Sequence, residues 1–177
     1  PAYALAGVFA SPHFLFRVER GEPDPASPPG SGRLRYTDWE MAGRLSYALW
    51  QSTPDDLLLD AAARGELTDE AGLRAQVERL LASPRSRAGL ARFFEEHLRL
   101  DRLPSMGKDR TMFPQMSETL AAAMGREVLA VVEWLAFEEN GDALDLLTTP
   151  TTFVDGELAT CEPLERDALQ VLPLDER

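Results

Sequence analysis

TDWEMAGRLSYALWQSTPDDLLLDAA, residues 37–62, carries the clearest helix signals in the chain. Thr37 and Glu40 have the spacing of a capping box, in which each side chain accepts a hydrogen bond from a free backbone N–H at the helix start. Apolar residues then recur at helical spacing as far as residue 49. A second helix is predicted with Thr53 as its N-cap, Pro54 at its first position and two aspartates in its first turn. Leu57, Leu58 and Ala61 or Ala62 are expected to face inward.

Similar signals occur on both sides of this stretch. Residues 2–11 have helical propensity, and Ser11-Pro12 is a cap-and-N1 pair for a second short helix. Further helices are predicted to begin at Thr68, at Ser83-Pro84 and at Ser117, the last extending over roughly 118–139. A short helical turn before TTFV and another helix at about 155–160 complete the chain, and TTFV, residues 151–154, is the one strand candidate. The predicted fold class is all-α, an irregular bundle of about six or seven helices with one long Pro/Gly-rich loop.

Breaks in the helical pattern suggest a division of the chain. An N-terminal helical segment covers 1–20, a Pro/Gly-rich loop covers 21–36, a helical domain covers 37–160 and an acidic tail covers 161–177. The loop is long for a compact domain, so it is either a disordered insertion or a joint between two sub-modules. We favour the insertion, and we expect the tail to be loose.

Composition limits the classes of partner. The chain has 177 residues, 44% of them hydrophobic, and a net charge of −12. Such a surface repels phosphates and anionic lipid, so nucleic acid is not an expected partner. No apolar run reaches the ~20 residues of a membrane span, and membrane insertion is not expected.

No secretion signal opens the chain, which begins without methionine and reads as a piece of a longer protein. Cys161 is the single cysteine, so no internal disulfide and no CxxCH haem-attachment motif are possible.

The two histidines, His13 and His97, are the first candidates for chemistry. His97 lies on an apolar stripe with Leu90, Phe93 and Phe94, and we interpret it as a hydrogen-bonded core residue. His13 follows a proline at a helix start, where it can donate to a carbonyl group or stack on an aromatic ring. Two histidines from different helices could hold a metal with a carboxylate, but no HExxH or ExxH pair is present.

Glu127 is the most informative carboxylate, because the pattern places it on the inner face of the longest helix. A buried carboxylate needs a partner, and Arg17 and Arg44 are the candidates. The functional alternative is a cleft acid with a raised pKa. The sequence assigns no catalytic, cofactor-binding or metal-binding residue, and whether the chain is part of an enzyme is left open.

Five stretches resemble the bacterial DUF1595 and DUF1592 domain families. They are ASPHFLFRVE (10–19), LSYALWQSTPDDLLLDAAARGELT (45–68), QVERLLASPRSRAGLARFFEEHLRLDRL (76–103), FPQMSETLAAAMGREVLAVVEWL (113–135) and LDLLTTPTTFVDGELA (144–159). The resemblance implies a large, exported multidomain protein of planctomycetes, myxobacteria or related bacteria, located in the periplasm or cell envelope. Such proteins often carry a c-type cytochrome-like domain. The resemblance implies no active site, and no cofactor in this segment.

Two features depart from the family pattern. Relatives commonly have tryptophan near the position of His97, and commonly have YG soon after the LA at 158–159, where this chain continues with TCEPLERD. The first departure leaves room for a role of His97 that is specific to this chain. The second indicates a divergent or shortened C-terminal end.

Three functions are consistent with these patterns. The first is a non-catalytic packing module that docks on neighbouring domains through apolar helix faces. The second is an accessory domain of a c-type-haem oxidoreductase or electron-transfer protein, in which His13, His97 or Glu127 contributes a ligand or a proton. It requires His13 or His97 to face a pocket or a partner's haem. The third is an extracellular polymer-binding module, which requires two of Trp39, Trp50 and Trp134 on the surface. We favour the first, because we expect these aromatic residues to be core.

Overall fold

The helices dominate the computed structural model, which describes residues 2–109, 111–156, 158–160 and 170–173. Within these residues, seven α-helices form: α1 (Ala2–Phe9), α2 (Pro12–Leu15), α3 (Asp38–Trp50), α4 (Asp56–Ala63), α5 (Glu70–Leu81), α6 (Pro84–His97) and α7 (Glu118–Phe137). Shorter 3₁₀ helices occupy Leu100–Ser105, Ala143–Leu147 and Leu158–Thr160. The prediction of an irregular all-α fold with six or seven helices is confirmed.

The Pro/Gly-rich segment 21–36 contains a small ribbon, so its interpretation as a disordered insertion is wrong. Strands β1 (Glu22–Pro23) and β2 (Leu34–Arg35) pair antiparallel, with Glu22 opposite Arg35. The guanidinium Nε of Arg35 donates to Oε1 of Glu22 at 2.8 Å. Two-residue strands are too short to produce a periodic sequence pattern, which is why residues 21–36 show no strand signal.

The strand candidate TTFV does form a strand, β3 (Thr151–Val154), and its partner lies in the predicted acidic tail. Strand β4 (Gln170–Pro173) pairs with it in parallel, with Thr151 opposite Gln170. The expectation of a loose tail is therefore wrong for residues 170–173. The helix predicted at about 155–160 is a 3₁₀ turn over its last three residues.

The chain divides into two compact units, unit 1 (Pro1–Ser83) and unit 2 (Pro84–Arg177). The division falls inside the helical domain predicted for 37–160, at the proline that starts α6. The finer assignment of domains made from the sequence stays a prediction.

The core of unit 1 is formed by α3, α4 and α5. Its buried residues are Ala42, Trp50, Leu58, Ala61, Ala62, Leu67 and Leu80. The indole Nε1 of Trp50 donates to the backbone oxygen of Leu80 at 2.9 Å, so the polar atom of this buried ring is satisfied. Leu57, predicted to face inward, is 59% exposed.

The predicted capping box at the start of α3 is confirmed. The hydroxyl of Thr37 accepts from the backbone N–H of Glu40, and Glu40 accepts from the backbone N–H of Thr37. The backbone N–H groups of Gly21 and Arg20 also donate to the Glu40 carboxylate. These bonds lower the pKa of Glu40 from 4.5 to about 2, since they stabilise the ionised form, and the bond from the Thr37 N–H contributes most to this shift. Glu40 thereby attaches the chain before the ribbon to the start of α3.

Two helix starts were placed too early by the sequence pattern. The N-cap of α4 is Asp55 rather than Thr53, and its carboxylate accepts from the N–H of Leu58 at 3.0 Å. The N-cap of α5 is Asp69 rather than Thr68. Threonine and aspartate are both good caps, so the local sequence does not distinguish them.

Unit 2 is formed around α7, which contacts α6, β3 and the 3₁₀ helix Leu100–Ser105. Ser117 caps α7 as predicted, and Asn140 beyond its end has a left-handed backbone with φ of 51°. The buried residues of α7 are Leu120, Ala121, Ala123, Val132 and Leu135. Phe153 of β3 is fully buried, and its ring lies 6.1 Å from that of Trp134. An ion pair between Arg87 and Glu133, at 2.7 Å, connects α6 to α7.

Candidate functional site

A cavity of about 650 Å³ lies within unit 2, between α6, α7 and the segment from Ala143 to Thr152. This volume falls in the range of roughly 300–1,000 Å³ that is typical of small-molecule sites. Most of the lining residues are aliphatic or aromatic. The lining residues with polar side chains are His97, Glu127, Thr149, Thr151 and Thr152.

Each of the two helices turns one face toward this cavity. Phe93 and Phe94 of α6 precede His97 by four and three residues, so each shares a helix face with His97. The corresponding residues of α7 are Glu127, Val128, Val131 and Val132. The buried side of α6 is instead marked by its small residues Ser86 and Gly89.

His97 lies on the cavity wall and is exposed, so its interpretation as a core residue is wrong. Its imidazole ring stacks on the ring of Phe93, with 5.5 Å between centroids and 8° between planes. Phe93 is itself 51% exposed. The predicted apolar stripe of α6 is present at Phe93 and Phe94, but it faces a cavity rather than the core.

Glu127 is half-buried on the opposite wall, and its predicted salt bridge is wrong. Arg17 and Arg44 both bind Glu19 instead. The carboxylate of Glu127 accepts a hydrogen bond from the hydroxyl of Thr152, which is buried on β3. In the part of the chain that the structure describes, no arginine or lysine forms an ion pair with Glu127. Among the described residues, therefore, this carboxylate lines a mainly apolar cavity with no ion-pair partner.

The three threonines on this wall were not predicted as site residues. They belong to the run TTPTT, residues 148–152, at the start of the TTFV strand candidate. Their position depends on the packing of β3 against α7, which the local pattern does not reveal. The repeated threonines next to an apolar turn were the one available signal.

The lining of this cavity suits the binding of a mainly apolar molecule. Across the described residues, no group of three or more histidine, cysteine, aspartate or glutamate side chains is placed to hold a metal ion. His97 and Glu127 line the same cavity, and the apolar wall between them can exclude water from a bound molecule. The side chain of His13 and all of Cys161 lie outside the described residues.

The tryptophans differ in exposure. Trp39 is 57% exposed, against the expectation of a core position, whereas Trp50 is 7% exposed. Trp134 is half-buried against Phe153. One of the three tryptophans is therefore exposed, and the polymer-binding alternative stays a prediction.

A second notable surface lies at the start of unit 1. We call it the N-terminal apolar surface, and its members are Tyr3, Leu5, Val8, Phe9, Phe14, Leu15, Phe16 and Val18, each at least 46% exposed. The helix α1 has no charged residue. None of the helices in the described part of the chain is both long and apolar enough to span a bilayer.

Comparison with known proteins gives one result. No curated protein and no solved structure matches the chain significantly. The model of the PSD4 family, described as a protein of unknown function (DUF1592), matches residues 36–161. The matched region begins two residues before α3 and includes β3 and all the residues that line the cavity. Because the match covers well over half of the sequence, the chain belongs to the DUF1592 family.

Proposed function

We propose that this chain is a non-catalytic interaction module of a larger, exported protein of the cell envelope. It packs against neighbouring domains of the same or an associated polypeptide. The observation that supports this proposal is the N-terminal apolar surface. The export of the protein and its place in the cell envelope rest on the resemblance to the DUF1595 family. That resemblance stays a prediction, because the matched region starts at residue 36.

The helix α1 is the strongest argument for a docking role. Every residue from Tyr3 to Phe9 is exposed, and none of them is charged. A helix that is apolar on all sides is normally buried, because exposed apolar area costs free energy in water. Contiguous apolar patches on soluble proteins mark interaction sites.

The adjoining helix α2 continues the same surface. The rings of Phe9 and Phe14 pack edge to face with 5.1 Å between centroids, so the two helices form one aromatic cluster. Phe14, Leu15 and Phe16 are all more than half exposed. A partner that covers this cluster must present an apolar surface of its own, as the helical face of a neighbouring domain does.

Photo-crosslinking in the cells that naturally make the protein tests this proposal. A benzoylphenylalanine at Tyr3 or Phe14 is expected to form crosslinks to one defined apolar surface of the same or an associated polypeptide, identified by mass spectrometry. The matched control is the same group at Glu70, whose side chain is 87% exposed on a polar face. It should give no such product.

Two results would contradict the proposal. One is a set of crosslinks from Tyr3 and Phe14 that is as scattered as the set from Glu70. The other is a crosslink that joins α1 to the core of unit 1, which would show that the surface is covered by its own chain.

The haem-accessory alternative has one observation in its favour, since His97 lines an apolar cavity as that alternative requires. The visible absorption spectrum of the full-length protein tests it. A haem band that His97→Ala alters would support it, and a haem spectrum identical in both proteins would exclude a role for His97.

A further inference from the structure

We infer that the cavity of unit 2 is a binding site for a small, mainly apolar molecule that carries a protonated amine, with Glu127 as its counter-ion. This inference goes beyond the docking role. It concerns unit 2, whereas the N-terminal apolar surface belongs to unit 1, so either proposal can fail without the other.

The walls require an apolar body. Leu98 and Leu147, which line the cavity, are 48% and 82% exposed. Val128 and Val131 of α7 line the same space and are half-buried. A hydrocarbon or aromatic body that enters the cavity removes this apolar area from water, which is the main source of affinity in small-molecule sites.

The carboxylate of Glu127 determines which polar group the ligand must carry. A ligand that fills the cavity takes water away from Glu127, and a carboxylate that loses water without a counter-charge is strongly destabilised. The hydroxyl of Thr152 satisfies part of its hydrogen-bonding capacity, and no cationic side chain of the described residues does the rest. An ammonium group supplies both the charge and the donors, and charge-assisted hydrogen bonds of this kind are the strong ones.

The aromatic wall favours a flat ring as the apolar body. The stacked rings of Phe93 and His97 lie at the exposed end of α6, and Phe94 packs edge to face on Phe93 with 5.3 Å between centroids. A planar ring can extend this stack by offset contacts, which are the preferred geometry of aromatic pairs. An arylalkylamine therefore matches both walls.

The same cavity disfavours a ligand with a negative charge. A carboxylate or phosphate ligand would meet Glu127 at short range, and the whole chain carries a net charge of −12. A neutral alcohol of the same shape keeps the apolar contacts and loses the ionic bond. The series amine, alcohol and acid on one aromatic body therefore separates the contribution of charge from that of shape.

Fluorescence titration of the purified chain with pyrenemethylamine, pyrenemethanol and pyrenecarboxylic acid tests the inference. The amine is expected to bind on the order of tenfold more tightly than the alcohol, and the acid most weakly. Equal affinity for the three probes, or binding of none, would overturn the inference in the unaltered protein, before any variant is made.

Variants then locate the charge. Glu127→Gln is expected to lower the affinity for the amine on the order of tenfold, to that of the alcohol, and to leave the alcohol unchanged. Glu118→Gln is the matched control, because it removes the same charge from the same helix at an exposed residue outside the cavity lining. An equal loss in the two variants would mean attraction by net charge alone and would overturn the assignment of Glu127.

Filling the cavity tests its location independently of Glu127. Val131→Phe adds volume to a half-buried position on the wall and is expected to weaken binding of the amine and the alcohol alike. Thermal unfolding of each variant without ligand shows whether it is folded. Unchanged affinity for both probes in folded Val131→Phe would place binding elsewhere and overturn the inference.

Discussion

Gly43 and Gly72 lie within helices of unit 1, and a methyl group would meet different surroundings at each. On Gly72 of α5, a Cβ atom would lie 2.2 Å from the backbone oxygen of Glu66, which is closer than atoms can approach. On Gly43 of α3, the nearest atom would be Cδ of Arg17 at 3.7 Å, an ordinary contact. The turn before α5 therefore requires a glycine at 72, whereas α3 tolerates a larger residue at 43.

The two alanine variants are expected to change stability in opposite directions. Gly72→Ala should destabilise unit 1 by about 1–3 kcal/mol, because backbone must move to admit the methyl group. Gly43→Ala should stabilise it by roughly 0.5–1 kcal/mol, since alanine loses less backbone entropy in a helix. Urea unfolding followed by circular dichroism measures both. A Gly72→Ala protein at least as stable as the unaltered chain would contradict the close approach.

At the scale of elements, the start of α4 is attached to α5 through one side chain. Asp55 caps α4, and its two carboxylate oxygens also bind the guanidinium group of Arg79 at 2.8 and 2.9 Å. Both side chains are less than a third exposed. The guanidinium lies 5.8 Å from the ring centre of Trp50, next to the core of unit 1.

Asp55→Ala is therefore expected to cost about 2 kcal/mol in the free energy of unfolding, because a helix cap and a bidentate ion pair are lost together. Two neighbours provide controls. Thr53→Ala and Asp56→Ala should each change stability by less than about 1 kcal/mol, since both side chains are exposed and neither accepts the capping hydrogen bond. Chemical denaturation compares the three. A larger loss of stability for Thr53→Ala than for Asp55→Ala would contradict Asp55 as the N-cap and would favour Thr53, the residue that the sequence pattern predicts.

The helices could be predicted from sequence wherever their signals are local. The capping box of Thr37 and Glu40, the proline at 84 and the cap at Ser117 each lie within one turn of the helix they start. The choice of Asp55 over Thr53 depends on Arg79, 24 residues away. The pairing of β3 with β4 joins residues 19 apart, and no period in either short strand indicates it.

The candidate site could be predicted only in part, for a similar reason. The pattern identified His97 and Glu127 as chemically interesting and placed each on an apolar helix face. Whether such a face meets the core or a cavity depends on the element opposite, which here is the turn and strand after α7. The hydrogen-bonding partner of Glu127 likewise comes from β3. A pair of side chains on a helix and on a later strand has no fixed separation in the sequence, so no motif reveals it.

At the scale of the whole molecule, a strong charge and an apolar surface act against each other. The net charge of −12 keeps copies of the chain apart, whereas the N-terminal apolar surface favours association. Charge repulsion is screened by salt, and apolar association is not. The balance between them is therefore set by ionic strength.

Sedimentation velocity should show mainly monomer in dilute salt and an increased share of dimer or larger species in about 1 M salt, where the Debye length is about 3 Å. Replacing Phe14 and Phe16 by serine is expected to remove this increase. Leu144 and Leu147, which are 70% and 82% exposed in unit 2, replaced by serine together provide the matched control and should leave it in place. Association that persists without the two phenylalanines would contradict the role of this surface.

The position of β4 has a consequence for where the folding unit stops. The match to the family ends at residue 161, yet β3 finds its hydrogen-bonding neighbour at Gln170–Pro173. A chain trimmed at the end of the matched region would leave the amide and carbonyl groups of β3 without these hydrogen-bonding partners. It would expose an unpaired edge on β3, the strand that carries the buried ring of Phe153. Such an edge invites strand addition from another copy, so trimmed proteins should aggregate where the longer one does not.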